Sequence, residues 1–207
     1  MADTPPIVLT FAASDPSGGA GIQADLLTLA SLDCHALSVV TAITIQDTLG
    51  VEDMLPIDAD WIADQARCVL EDVSVNVFKV GLIGSVEAAA AIAEVVADYP
   101  DVPLVIDPVL ASGRGDELAS EDLISAMSEL LLPQATVLTP NSHEAQRLAM
   151  QDSDEIEDLT LDDCAFRLLD LGMEYVLITG THENSLSEVN DRWRQMVFRT
   201  PCRDMRC

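Results

Sequence analysis

The chain has 207 residues, 36 acidic and 10 basic side chains, a formal net charge of −26 and one lysine, Lys79. A chain of this length can bury one substantial core, which predicts a single domain over residues 1–207. The shortage of basic residues argues against nucleic-acid binding, since that requires clustered lysine or arginine. The sequence also contains no recognisable membrane segment, because Asp, Glu or Gly interrupts every apolar run well below bilayer-spanning length.

The acidic charge indicates the solvent in which the chain works. Self-repulsion destabilises a compact state in dilute buffer, whereas molar salt shortens the Debye length to about 3 Å. We therefore hypothesise a salt-rich, halophilic cytoplasm, with an acidic protein of ordinary salt as the alternative. The start M-A-D-T-P-P resembles no export signal, and the five scattered cysteines form no C-x-x-C pair, so a cytoplasmic location with reduced thiols is expected.

Apolar runs typical of strands alternate with amphipathic stretches typical of helices. The runs predicted to be strands cover residues 7–11, 37–42, 75–80, 104–106, 136–138 and 175–178. The stretches predicted to be helices cover residues 22–32, 61–70, 85–97, 122–132, 144–150 and 161–171. The apolar stripe of the second helix comprises Trp61, Ile62, Ala66, Val69 and Leu70. Strict alternation predicts an α/β fold in which helices cover both faces of a parallel sheet.

The most informative stretch is S-D-P-S-G-G-A-G-I-Q-A-D, residues 14–25, which leads from the first strand into the first helix. Glycines at 18, 19 and 21 let the backbone approach a ligand closely. The helix that follows presents unpaired N–H groups and the positive end of its dipole. An ordinary strand-to-helix turn is the alternative interpretation.

Candidate functional residues follow each of the six predicted strands, where ligands of parallel sheets collect. Any one of them is also a common turn former or helix cap. In chain order they are Ser14, Asp15, Gln46, Asp47, Gly81, Gly84, Asp107, Pro108, Asn141, Glu144 and Thr179 to His182.

Several chemistries are poorly supported by the motifs. A Walker phosphate loop needs a lysine after its second glycine, and Lys79 is remote from such a run. The serine-hydrolase motif G-x-S-x-G and metal-spaced Cys and His are also absent. A magnesium-assisted site remains, with Asp107, Asn141 and Glu144 as oxygen ligands or holders of metal-bound water. Capping of helices is the alternative role for these residues.

Six strings in order resemble one family over roughly residues 5–185. They are A-A-S-D-P-S-G-G-A-G-I-Q-A-D, T-A-I-T-I-Q-D-T, K-V-G-L-I-G, I-D-P-V-L-A-S-G, L-T-P-N-S-H-E-A and I-T-G-T-H. The family is that of the hydroxymethylpyrimidine and phosphomethylpyrimidine kinases of thiamine biosynthesis, in the ribokinase-like superfamily. The resemblance implies a ribokinase-like fold, with a mostly parallel central sheet and helices on both faces.

The resemblance also implies a function. It is the ATP- and Mg²⁺-dependent phosphorylation of 4-amino-5-hydroxymethyl-2-methylpyrimidine and then of its monophosphate. In that reading the amide of Gln46 holds the pyrimidine, because it donates and accepts hydrogen bonds at once. Gly21 gives room beneath the ring, and Leu82 and Val109 form apolar walls. The remaining residues expected near the substrate are Asp15 and Asp25.

The phosphoryl end of the implied site uses a second group of residues. Asp107 is expected near the metal and the transferred phosphoryl group, and Asn141 with Glu144 is expected to organise the Mg²⁺ shell. The metal ligands are thus Asp107 and Glu144. Thr179 and Gly180 would border the nucleotide, together with Asp107, Asn141 and Glu144. Many relatives carry a lysine in place of Thr179, in a K-G-G-H string, so that charge is missing here.

The chain departs from the family after residue 199. Relatives continue into a G-S-G-C loop that forms an anion hole and carries the candidate catalytic cysteine. This chain ends in T-P-C-R-D-M-R-C, and neither Cys202 nor Cys207 lies in that pattern, so no catalytic residue is assigned. We hypothesise a frameshifted, truncated product that lacks this loop and the following helices and has impaired activity.

Two other functions remain open. The same pocket shape would suit a kinase for pyridoxal-type substrates. A non-catalytic pyrimidine-binding remnant would bind the ligand without consuming ATP. A homodimer is a further expectation from the family, and no residue pattern in the sequence specifies it.

Overall fold

The computed structural model describes residues 4–112, 117–150, 159–179 and the strand at 195–199. The predictions that concern Gly180 and residues 200–207 lie outside these described residues.

The described strands form one mixed sheet in the order β3-β2-β1-β4-β5-β6-β7-β8. Strands β1, β2, β4, β5, β6 and β7 run parallel, and β3 and β8 are antiparallel strands at the two edges. Their bounds are Ile7–Ser14, His35–Gln46, Val51–Pro56, Val77–Val80, Leu104–Ile106, Val137–Leu138, Tyr175–Thr179 and Gln195–Arg199.

The six helices α1 to α6 have bounds Gly21–Ser31, Ala59–Asp72, Val86–Ala97, Glu121–Ala126, Ser142–Ala149 and Leu161–Asp170 in the described residues. Side chains of Ser85, Ser120 and Thr160 accept N–H groups in the first turns of α3, α4 and α6, as helix caps do. Helix α4 continues through a π-helical turn, Met127–Leu131. Within the described residues, none of the helices has the length and apolar character needed to cross a bilayer.

The structure confirms the α/β fold and all six predicted strands, but strict alternation of strands and helices is wrong. Strand β3 pairs directly with β2 through a turn in which Asp47 Oδ1 accepts the N–H groups of Leu49 and Gly50 at 2.7 and 3.1 Å. This strand was missed because an edge strand is held by backbone pairing and does not need a continuous apolar run. Strand β8 was missed as well.

The core lies on both faces of β1, β4 and β5, around fully buried Phe11, Phe78 and Ile106. The predicted stripe of α2 needs one correction, because Trp61 is 70% exposed while Ile62 is buried. Consecutive helical residues point about 100° apart, so the helix face that buries Ile62 turns Trp61 to solvent.

Candidate functional site

A pocket of about 280 Å³ lies where the parallel strands β1, β2, β4 and β5 end. We call it the rim pocket. Its lining contains seven of the site residues that the family resemblance implies, from helix α1 and from the segments at the ends of four strands. They are Asp15, Gly21, Asp25, Gln46, Leu82, Asp107 and Val109.

Asp15 organises the loop that borders the rim pocket. Its carboxylate accepts hydrogen bonds from Ser17 N at 2.8 Å, Ser17 Oγ at 3.0 Å and Ala20 N at 2.7 Å. Burial raises the pKa of Asp15, but the hydrogen bonds from Ser17 and the neighbouring amides outweigh it, so the pKa lies below its usual value. Asp15 is therefore an ionised anchor for residues 16–20, and its oxygens are already engaged.

Gly21 is the point where this loop enters α1. Its φ is +58°, and a Cβ there would lie 2.4 Å from the carbonyl oxygen of Ala13 and 3.2 Å from the N atom of Asp15. A side chain at this position would therefore strike the backbone of β1. The strand itself imposes glycine here, in addition to any room that a ligand requires.

Gln46 ends β2 and projects into the rim pocket. Thr44 Oγ1 lies 3.1 Å from the amide oxygen of Gln46 and 2.6 Å from the carbonyl oxygen of Ser14. These contacts tie the glutamine amide to the ends of two neighbouring strands. Two apolar residues, Leu82 and Val109, line the same pocket. Leu82 belongs to a small buried cluster against which Val109 packs.

Lys79 is a site residue that the sequence interpretation did not nominate. It lines the rim pocket, and its Nζ lies 2.9 Å from Asp25 Oδ2. The same oxygen accepts the hydroxyl of buried Thr10 at 2.6 Å. The signal in the sequence was the one lysine of the chain, placed inside an otherwise apolar strand.

Asp107 follows β5 and reaches the rim pocket beside this ion pair. Burial raises the pKa of Asp107 above its usual value. The positive charge of Lys79 lowers this pKa in part, and the negative charge of Asp25 adds to the rise. The three charged groups are thus close enough to influence one another.

Asn141 and Glu144 meet at the start of α5. The Asn141 side chain accepts Glu144 N at 2.9 Å, and Glu144 Oε2 accepts Asn141 N at 2.8 Å. Glu144 Oε1 also accepts the N–H of Leu110 at 3.3 Å. The alternative role of these two residues as a helix cap is therefore real, and it also ties α5 to the loop that follows Asp107.

Glu144 is 7% exposed, and desolvation raises its pKa to about 7. The hydrogen bonds from Asn141 and Leu110 lower this pKa in part, while the charge of Asp107 raises it. Asp107 is thus close enough to act on the Glu144 carboxyl group, which the cap joins to Asn141. Asn141 and Glu144 are not among the residues that line the rim pocket.

Thr179 lies next to this cluster at the end of β7. Its N–H donates to the carbonyl oxygen of Pro140 at 2.9 Å, and it forms a parallel bridge with Asn141. Gly180 lies outside the described residues.

The described residues contain no group of three or more His, Cys, Asp or Glu side chains able to hold a metal ion. Mg²⁺ needs less, because it usually binds one or two carboxylates together with phosphate oxygens and water. Asp107 fits such a site, since it lines the rim pocket. Both oxygens of Glu144 already accept backbone N–H groups, so this residue is less available than Asp107 as a direct ligand of the metal.

Comparison with known proteins gives an independent result. Residues 15–200 match the family model described as phosphomethylpyrimidine kinase. A hydroxymethylpyrimidine/phosphomethylpyrimidine kinase from Streptomyces coelicolor is 40% identical over 179 residues, which make up 86% of this chain. The match covers 65% of that relative, so the chain spans slightly less than two thirds of its length.

Solved structures agree with this match. The phosphomethylpyrimidine kinase of Clostridium difficile 630 is 32% identical, with a TM-score of 0.78 over 94% of this chain and 84% of that one. A pyridoxal kinase from Staphylococcus aureus, in complex with AMP-PCP, is also 32% identical with a TM-score of 0.78, over 95% of this chain and 69% of that one.

Proposed function

The chain belongs to the phosphomethylpyrimidine kinase family, and from this we propose that it phosphorylates 4-amino-5-hydroxymethyl-2-methylpyrimidine with ATP and Mg²⁺. Its second reaction converts the monophosphate to the diphosphate, for thiamine biosynthesis. The observation that carries the proposal is the position of Gln46, Gly21 and Val109 in one pocket with Asp107.

The pyrimidine end of the site is assigned to Gln46 and its apolar neighbours. The ring of the substrate carries nitrogen acceptors and an exocyclic amine, and one amide group can satisfy both kinds of partner. Leu82 and Val109 supply apolar surface for the flat ring. The contacts of Thr44 keep the amide in place before the ligand arrives, which reduces the ordering cost of binding.

The phosphoryl end is assigned to Asp107, Asn141 and Glu144. Mg²⁺, when bound, neutralises charge on the phosphate oxygens. Asp107 would bind the metal. Glu144, which caps α5, would hold water in the metal's shell. Thr179 and Gly180 border the nucleotide in this proposal. Phosphoryl transfer depends mostly on such positioning and charge stabilisation, so no reactive side chain is required from these residues.

A kinase acting on pyridoxal-type substrates is the second candidate. The observation in its favour is the fold similarity of the Staphylococcus aureus pyridoxal kinase, which equals that of the Clostridium difficile enzyme. Turnover of the two alcohols by the same preparation discriminates between them. A higher kcat/KM for pyridoxal would reverse the assignment.

The proposed function is tested by calorimetric titration with the hydroxymethyl pyrimidine, with and without MgATP, in molar salt. We expect binding by the native chain and at least a tenfold weaker affinity for Gln46→Ala. Gln134→Ala is the matched control, because Gln134 bonds backbone carbonyls and does not line the rim pocket. Equal binding by both variants would remove Gln46 from the site, and no binding by the native chain would end the proposal.

The same titration separates catalysis from binding alone. Release of ADP in the presence of MgATP identifies a kinase. Saturable binding of the pyrimidine without any ADP identifies the non-catalytic alternative. This distinction matters because the chain spans 65% of the Streptomyces coelicolor relative.

We place the protein in a salt-rich cytoplasm. The three cysteines in the described residues, Cys34, Cys68 and Cys164, are free thiols, as is usual in a reducing compartment. The net charge of −26 supports a halophilic setting.

We also propose that two copies pair through the outer face of the β2–β3 hairpin. The inner face of this hairpin turns Thr44 and Gln46 toward the rim pocket. Ile43, Ile45 and Leu55 lie on the opposite face and are 49%, 60% and 64% exposed. Contiguous exposed apolar side chains of this kind mark interaction surfaces.

A further inference from the structure

Lys79 occupies an unusual position for an ammonium group. It lies on β4 directly opposite Thr10 of β1, so both side chains point to the same face of the sheet. They converge on one oxygen, Asp25 Oδ2, at 2.9 Å and 2.6 Å. The Lys79 side chain is 22% exposed, and the surface that it does expose lines the rim pocket.

The backbone makes room for this ammonium. A Cβ at Gly81 would lie 2.7 Å from Lys79 Nζ, so the lysine head lies over a residue without a side chain. An ammonium group has three N–H donors. Asp25 is its one hydrogen-bond partner among the described residues, which leaves donors for a group that enters the pocket.

The charge of the lining makes this donor important. Within the described residues, the lining contains three carboxylates, Asp15, Asp25 and Asp107, and one cationic side chain, Lys79. The first acceptor of the proposed function is a neutral alcohol, which such a lining does not repel. The second is a phosphate monoester, which carries nearly two negative charges at neutral pH. Carboxylates repel that charge unless a cation offsets them.

We propose that Lys79 is the specificity-determining residue that lets the rim pocket accept the phosphate monoester in addition to the alcohol. This inference rests on the proposed function and extends it to the choice between the two acceptors. Asp25 then has a moderating part: it holds the ammonium in place and offsets part of its charge.

A purely structural role for Lys79 makes a different prediction. In that case the ion pair only fastens α1, which carries Asp25, to the sheet. Substitution of Lys79 or of Asp25 would then weaken the binding of the alcohol and of the monophosphate to a similar extent. The proposed role predicts opposite effects of the two substitutions on the ratio of the two affinities, because one removes a positive charge and the other a negative charge.

The test is calorimetric titration with the hydroxymethyl pyrimidine and with its monophosphate, at one fixed salt concentration and without nucleotide or Mg²⁺. We expect Lys79→Met to weaken monophosphate binding at least tenfold and alcohol binding less than threefold. Asp25→Asn should shift the ratio toward the monophosphate. The matched control is Arg67→Met, which removes the same charge from an exposed position of α2 and should leave the ratio unchanged.

Melting temperatures show whether each variant is folded. If Lys79→Met fails to fold because Asp25 loses its positively charged partner, the double variant Lys79→Met with Asp25→Asn removes both charges. The ratio of monophosphate affinity to alcohol affinity should then be lower in the double variant than in Asp25→Asn alone. An unchanged ratio in the lysine variants, with both ligands still bound, would overturn the inference and leave the proposed function intact. Absence of binding of either ligand to the native chain would overturn both.

Discussion

Asn141 and Glu144 each accept the backbone N–H of the other, at 2.9 and 2.8 Å, and this reciprocal cap buries the Glu144 carboxyl group. Glu144 is only 7% exposed, and its carboxyl group feels the charge of Asp107. A structural device for starting α5 therefore also creates a group that titrates near neutral pH.

The first prediction concerns pH and Glu144. Its pKa is about 7 in the folded chain against 4.5 in the reference state, so the folded chain binds the proton more tightly. The stabilisation is fully present below pH 4.5 and is lost as pH rises to about 7, a loss of about 3 kcal/mol at most. Urea unfolding of the native chain and Glu144→Gln from pH 4.5 to 8 measures it.

The amide side chain introduced by Glu144→Gln cannot titrate. The free energy of unfolding of the native chain minus that of the variant should therefore fall as pH rises. Carboxylates that do not interact with Glu144 contribute equally to both proteins and cancel in this difference. A difference that stays constant over the range would contradict the raised pKa.

The second prediction concerns the junction at Gly21. Gly21→Ala forces a Cβ to within 2.4 Å of the Ala13 carbonyl oxygen at a positive φ, and should destabilise the chain by about 3 kcal/mol. Gly19→Ala is the matched control, because its nearest neighbour would be Ser17 Oγ at 3.6 Å. That variant should change stability by about 0.5 kcal/mol or less. Denaturant midpoints compare the two, and equal midpoints would show that the loop moves freely away from β1.

Sequence reasoning located the parallel strands because they are buried on both faces and therefore read as apolar runs. The residues at their exits could be predicted to converge for the same reason, since parallel strands deliver their carboxyl ends to one edge. Gln46 and Asp107, which are far apart along the chain, meet in the rim pocket on this basis.

Lys79 and the β2–β3 hairpin could not be predicted in this way. Lys79 lies inside a strand, so a search of strand exits passes over it, and its partner Asp25 lies 54 residues away. The hairpin is stabilised by backbone pairing and by the Asp47 turn, neither of which produces an apolar pattern. Sequence periodicity reports burial of side chains, and both features depend on tertiary contacts instead.

The third prediction concerns salt. The net charge of −26 should make the melting temperature rise steadily from low to molar KCl, since screening weakens repulsion between the carboxylates. A scanning calorimetry series in KCl measures this, and a series in sucrose controls for general solute effects. A flat response to KCl would reject the halophilic interpretation.

The fourth prediction concerns the outer face of the β2–β3 hairpin. If two copies pair there, the double substitution Ile43→Ser with Ile45→Ser should convert a dimer into a monomer, because it removes the apolar surface that pairing would bury. Light scattering after gel filtration measures the mass, and circular dichroism checks the fold. Trp61→Ser is the matched control, since Trp61 is 70% exposed on α2 and lies outside the proposed interface. A monomeric native chain would contradict the proposed pairing. A dimer that survives the double substitution would place the interface elsewhere.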